Sequence, residues 1–257
     1  MARWEQDFEF YMAAVEDRPA SIVLDLAAAP HAPVASHPLL VEIRVPMLQP
    51  RPDGLRDAAE LEPLGELEDQ FVEALEDKVD AIYAGRLVTD GTTSMYLYVP
   101  EAHRAALDDL PALTGAPPGD YEPEWAVVDD PEWRQYLDFL TPDDYARQSI
   151  WNRRLLQVFT EQGDALEVAR PIDHMAFFPS RVRAEEAALA LRNAGFTTDE
   201  LVAPADEDRG WGLGFHRADH LIDGRPDEFV GEILDLILPL DGDYDGWGAE
   251  HRPRASA

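Results

Sequence analysis

His216 and His220 stand four apart, a spacing that on one helix face can hold zinc. Here they straddle the end of a strand-like run. No HExxH pattern surrounds them and no third ligand stands out, so a surface or packing role is expected. Asp206, Glu207 and Asp208 offer the hard oxygen ligands that calcium takes. So do Asp241, Asp243 and Asp245, which alternate ahead of Gly246. Neither group has EF-hand spacing, and the bidentate glutamate that should close such a loop is missing. A solvated hairpin tip and a polar turn are the better readings. Gly210-Trp211-Gly212-Leu213-Gly214 lacks a phosphate-loop lysine and opens no helix, so its glycines are expected to admit a close neighbour. Arg147, Arg153 and Arg154 form a basic cluster that could bind an anion; pairing with the abundant carboxylates is favoured. Trp247 is either a core plug or an aromatic anchor for a partner, and core is the better reading. Without a GxSxG motif or cysteine, nucleophilic catalysis has no obvious agent.

The elements that must carry these residues can be read from periodicity. Phe8–Met12 and Ser21–Leu26 are strand-like, joined by a turn at Glu16-Asp17-Arg18-Pro19. Leu39–Val45 alternates as a third strand. Pro50–Pro63 reads as loop. From Glu66 the period becomes helical, with Leu67, Phe71, Leu75, Val79 and Ile82 on one face and Gly85 as the stop. Asp90-Gly91 joins Arg86–Thr89 to Thr93–Val99 as a hairpin. A short helix over Glu101–Leu110 and a strand over Glu124–Val128 follow. Asp130-Pro131-Glu132 predicts a helix start, with Trp133, Tyr136, Leu137 and Leu140 as its apolar face. Thr141-Pro142-Asp143-Asp144 predicts another, running to about Gln162, with Trp151, Leu155, Val158 and Phe159 as its apolar stripe.

The domain boundary is expected near 160–170, giving domains 1–165 and 166–257. In the second, Ile172–Phe178 is a strand and Ser180 caps a helix that Gly195 ends. Phe196–Val202 and Trp211–His216 form a central strand pair. Pro226 opens a helix with Phe229, Ile233, Leu236 and Ile237 inside, and a closing strand surrounds Asp243–Gly248. The fold class is α+β in two domains, the second a ferredoxin-like βαββαβ sandwich.

The chain of 257 residues carries 52 acidic residues against 21 basic, a formal net charge of −31, and Lys78 is its one lysine. Such a surface repels phosphates and anionic lipid heads, so direct nucleic-acid or membrane binding is not expected. A basic protein partner or a salt-rich solvent suits it better. Neither a signal-like amino terminus nor a spanning apolar run is present, and a cytoplasmic protein is expected.

The second domain resembles the RraB family, regulators of ribonuclease E activity. The resemblance rests on the βαββαβ order, Asp173-His174-Met175-Ala176-Phe177-Phe178, Ala194-Gly195-Phe196 and the closing Tyr244-Asp245-Gly246-Trp247-Gly248. The first domain resembles a family of unknown function through Asp53-Gly54-Leu55, Glu68-Asp69 and Asp130-Pro131-Glu132-Trp133. The resemblance implies a non-enzymatic acidic inhibitor that binds an endoribonuclease of the ribonuclease E type. It has no catalytic residues, cofactor or metal. Asp206, Glu207, Asp208, Asp243, Asp245 and Trp247 are its candidate partner-binding residues. The alternatives are a carboxylate- or metal-dependent hydrolase and a small-molecule sensor.

Overall fold

A computed structural model describes residues 4–205 and 210–254. The chain divides after Pro142 into two compact units, each with its own hydrophobic core. The sequence boundary at 165/166 lies too late, because the helix expected to end the first domain packs into the core of the second.

In the first unit, β1 (Phe8–Val15) and β2 (Arg18–Asp25) form the expected hairpin. Glu16 and Asp17 both take left-handed backbone, which suits the twist of a two-residue turn. β3 (Leu39–Pro46) follows, then α1 (Ala58–Val79), β4 (Ile82–Thr89), β5 (Thr92–Val99), a 3-10 segment over Glu101–Asp109, α2 (Leu110–Thr114) and β6 (Glu124–Asp129). The antiparallel sheet has the order β1-β2-β4-β5-β3-β6. Leu39, Val41, Ile43 and Val45 of β3 bury against Leu64, Leu67, Phe71, Leu75 and Val79 of α1. Each such side chain contributes about 1.5–3 kcal/mol.

Two helix expectations need correcting. α1 starts at Ala58, not Glu66, because the Asp57 side chain accepts the Ala59 amide and Pro63 is tolerated within the helix. It also stops before Ile82, since Asp80 turns left-handed as its cap and Ile82 opens β4. At Asp130-Pro131 no helix begins. Trp133 adopts a left-handed backbone (φ 55°), which turns its ring into the protein, and a short π-helix covers Gln135–Leu140. Its indole stacks on Tyr98 at 3.9 Å between centroids and donates to the His37 carbonyl.

The second unit runs α3 (Asp144–Glu161), β7 (Arg170–Phe178), α4 (Arg181–Asn193), β8 (Thr197–Thr198), β9 (Trp211–Asp219), α5 (Arg225–Ile237) and β10 (Asp243–Ala249). All its strand pairs are antiparallel, in the order β10-β7-β9-β8. This order supports the ferredoxin-like reading. The expected central pair is wrong in one member. β8 is a two-residue edge strand, and β7 and β9 form the centre. Among the described residues no helix is long and apolar enough to cross a membrane.

Candidate functional site

The closing strand explains its own sequence. Tyr244 pairs with Ala176 and Trp247 with His174, both inward-facing positions of β7. Three residues of regular strand would send Tyr244 and Trp247 to opposite faces. A bulge between Tyr244 and Gly246 absorbs one residue, with Gly246 at φ 103°, and returns both rings to the same side. Asp245, the extra residue, is exposed. The Tyr244 hydroxyl lies 2.7 Å from His174 Nδ1. Phe196, Phe215 and Phe229 surround that imidazole. Burial, with the Arg217 charge adding to it, pushes His174 down to about 3, so it is neutral inside the core. Burial raises the Tyr244 phenol.

α3 is pinned beside this strand. The Trp247 indole donates to Asn152 Oδ1 at 2.6 Å, and Asn152 Nδ2 donates to Asp227 at 2.7 Å. Trp247 also stacks on Phe159 and meets Phe229 edge-on. Gln148 Nε2 donates to the Tyr244 carbonyl. Asn152 therefore sits at the centre of the buried helix face. Trp151 and Val158 stand about 100° and about 120° round the helix from it on the same side and are 47% and 46% exposed. These two members of the apolar stripe thus face outward, and a satisfied polar residue, Asn152, takes the buried position between them and the core.

A groove of about 590 Å³ lies between α3, α5 and β10. Trp151, Leu155, Val158, Leu234, Leu238 and Trp247 supply its apolar surface, and Asp144, Arg147, Arg154, Asp243 and Asp245 its charged rim. Arg147 pairs with Asp144 at 2.9 Å, and the Arg154 guanidinium lies 4.9 Å from the Trp151 ring centroid. A second hollow of about 340 Å³ adjoins it, lined by Phe177, Phe178, Pro179, Gly210, Asp241, Asp243 and Asp245. Asp243 and Asp245 line both.

The sequence candidates thus part company. Asp243, Asp245 and Trp247 come together at the groove, with Trp247 half-buried and serving core and groove at once. Asp206, Glu207 and Asp208 lie outside the described residues. His216 sits half-buried on β9, and His220 Nδ1 is buried without a hydrogen-bond partner among the described residues. No group of three or more metal-ligating side chains converges among the described residues. The glycines of the 210–214 run do admit close neighbours: a Cβ at Gly210 would meet the Phe178 carbonyl oxygen at 2.3 Å. Sequence reasoning passed over Asn152 and assigned no role to the His174–Tyr244 pair. Their signals were a polar residue inside an apolar helical stripe and a histidine on the inward phase of a strand.

In the first unit the polar clusters serve structure. Glu68 accepts from Tyr83 and Arg86, each at 2.6 Å, with Arg56 at 3.4 Å. Burial, with the Arg86 charge beside it, lowers the Arg56 guanidinium, and burial together with Glu68 raises the Tyr83 phenol. Glu60 accepts from Tyr121 at 2.7 Å and from the Gln49 amide. Asp130 accepts from Tyr98 and from the amides of Arg134 and Gln135. Gly54, at φ 82°, packs on the β4–β5 turn, where a Cβ would lie 2.8 Å from the Asp90 nitrogen.

Residues 6–141 match the model of a family of unknown function, DUF695. The chain belongs to that family. Of the residues that carry the first-domain resemblance, Gly54 packs on the β4–β5 turn, Glu68 gathers Tyr83 and Arg86, and Asp130 and Trp133 both engage Tyr98. Residues 149–249 match a second model, regulator of ribonuclease activity B, so this DUF695 protein also carries an RraB domain, and that domain holds the groove. No curated protein matches the chain. Among solved structures, an unknown protein from Galdieria sulphuraria shares 12% identity over 83% of this chain and 98% of that one, with a TM-score of 0.21. A protein described as a glycine cleavage system transcriptional repressor shares 11% over 82% and 98%, with a TM-score of 0.23. Both are too distant to speak to fold or function.

Proposed function

We propose that this protein is a non-enzymatic regulator in the cytoplasm that binds and inhibits an RNA-processing endoribonuclease of the ribonuclease E type. The observation that carries the reading is the RraB match over residues 149–249. That family's description concerns ribonuclease activity, and its domain is where this chain opens an apolar groove whose rim carries three carboxylates and two arginines, Arg147 and Arg154. The net charge of −31 supports a protein target over RNA itself. Carboxylates repel phosphates and steer basic protein segments by long-range attraction. Asp243, Asp245 and Trp247 are proposed to face the partner side of the groove, with Asp206, Glu207 and Asp208 as further acidic contacts.

The carboxylate-hydrolase alternative draws no support from the buried acids of the first unit. Glu60 and Glu68 are each held by hydrogen-bond donors, whereas acid–base work needs two carboxylates in opposed environments beside a substrate. The test is a cleavage assay. Purified protein is titrated into a ribonuclease E-type enzyme with a fluorogenic RNA, and direct association is followed at low and high salt. Dose-dependent inhibition that weakens with salt is expected. Unchanged cleavage together with no association at low salt rejects the reading.

A further inference from the structure

We propose that the groove and the adjoining hollow together receive a short peptide segment of the partner, one that places an aliphatic or aromatic side chain next to arginine or lysine. This inference rests on the regulator reading for its choice of partner, and on the groove itself for its chemistry.

Trp151 and Val158 are large apolar side chains left half in water on the wall of a hollow, although α3 has a buried face within 100° of them. Exposed apolar surface gathered in a concave, polar-rimmed site marks recognition more often than chance. A volume of about 590 Å³ accepts a few side chains but not a folded domain.

The charges choose the occupant. Most arginines described in this unit are matched: Arg147 with Asp144, Arg170 with Asp164, Arg181 with Glu185, Arg183 with Glu186 and Asp241, Arg217 with Asp219 and Glu232, Arg225 with Asp219 and Glu228, and Arg252 with Glu250. Asp243 and Asp245 make no ion pair with any described residue, yet they stand where the two hollows meet; Asp241, which lies 4.0 Å from Arg183, also lines the smaller one. A guanidinium or ammonium entering the smaller hollow meets these carboxylates while its neighbour's side chain fills the apolar groove. A second copy of this chain would bring like charge to the same rim, and RNA would bring phosphate; both are disfavoured by Coulomb repulsion. An uncharged apolar metabolite would fill the groove without using the carboxylates.

The experiment uses the full chain and three fluorescein-labelled twelve-residue peptides. One carries leucine and tryptophan anchors flanked by arginines, one has the arginines replaced by glutamate, and one has the anchors replaced by alanine. Fluorescence anisotropy should show saturable, salt-sensitive binding of the first only. The double variant Asp243→Asn with Asp245→Asn should weaken it about tenfold or more, and Trp151→Ala by a similar factor, as expected for a buried anchor. All three positions are exposed, and circular dichroism checks that each variant keeps its fold. Equal binding of the glutamate peptide, no saturable binding of the first, or indifference to both variants overturns the proposal. The same variants go into the ribonuclease assay. Inhibition that survives all of them, unrelieved by excess first peptide, removes the groove and leaves the regulator. Specific peptide binding without any effect on cleavage keeps the groove and removes the regulator.

Discussion

Glu68 in the first unit and Asp164 in the second are both buried carboxylates held by arginine, but they tie together different things. Glu68, on α1, is shared by Arg56, by Arg86 and Tyr83 of β4, and so clamps a helix to the middle of its sheet. Asp164 takes both guanidinium nitrogens of Arg170 at 2.7 and 2.8 Å, with neither side chain exposed. Arg170 spends its remaining donors on the carbonyls of Ala165, Val168 and Glu250, and Asp164 accepts the Arg252 amide. This second cluster locks the turn after α3, the start of β7 and the chain just beyond β10. It secures one end of β10, and the groove opens at the other. The difference teaches where each unit keeps its polar chemistry. The first closes it inward as scaffold. The second anchors one end of a strand and leaves Asp243 and Asp245, at the opposite end, without an ion pair to any described residue.

The comparison breaks most visibly at Asp164. Asp164→Asn leaves Arg170 buried without its counter-charge and should cost the second unit about 3–5 kcal/mol. In urea denaturation followed by far-UV circular dichroism, an early transition attributable to that unit is expected, and unchanged unfolding would mean the lock is dispensable. Glu68→Gln leaves two guanidiniums facing an amide and should cost the first unit about 2–3 kcal/mol. The midpoint of the other unit should stay put, and a common shift in both would show that the two networks are not independent.

A pH titration sharpens the contrast further. His174 has a folded-state value of about 3, against 6.5 for the ordinary imidazole, so unfolding takes up a proton between these limits. Stability of the second unit is therefore full above pH 6.5 and is lost as pH falls toward 3. Between pH 6.5 and 5 the loss should be about 2 kcal/mol. His174→Gln should flatten that slope, while the first unit keeps its own profile; a slope indifferent to the substitution would show the imidazole is not the sensor. The smallest effect is expected at the bulge. Gly246 has open space around a would-be Cβ, so Gly246→Ala meets only the backbone strain of φ 103°. About 1 kcal/mol is expected, measured by thermal melting, with a parallel weakening of peptide binding as Trp247 and Asp245 shift. Full stability with unchanged binding would show that the bulge does not set the groove.

Sequence alone determined the parts that local physics controls. Alternating residues of Leu39–Val45, the Asp90-Gly91 turn, the Ser180 cap and the Gly195 stop each depend on neighbours a few residues away, and each stands where periodicity and turn chemistry placed it. The βαββαβ order of the second unit was readable for the same reason. Tertiary structure decided the rest. Asn152 takes the centre of a buried helix face only because Trp247 and Asp227, more than seventy residues away, satisfy its amide, and that choice turns Trp151 and Val158 outward. Trp133 turns inward through a left-handed backbone that Tyr98 and Asp130 stabilise from other elements. Residue spacing along the chain reports which side chains share a face, but which face is buried, and which carboxylates go unpaired, depends on partners that only folding brings within hydrogen-bonding distance.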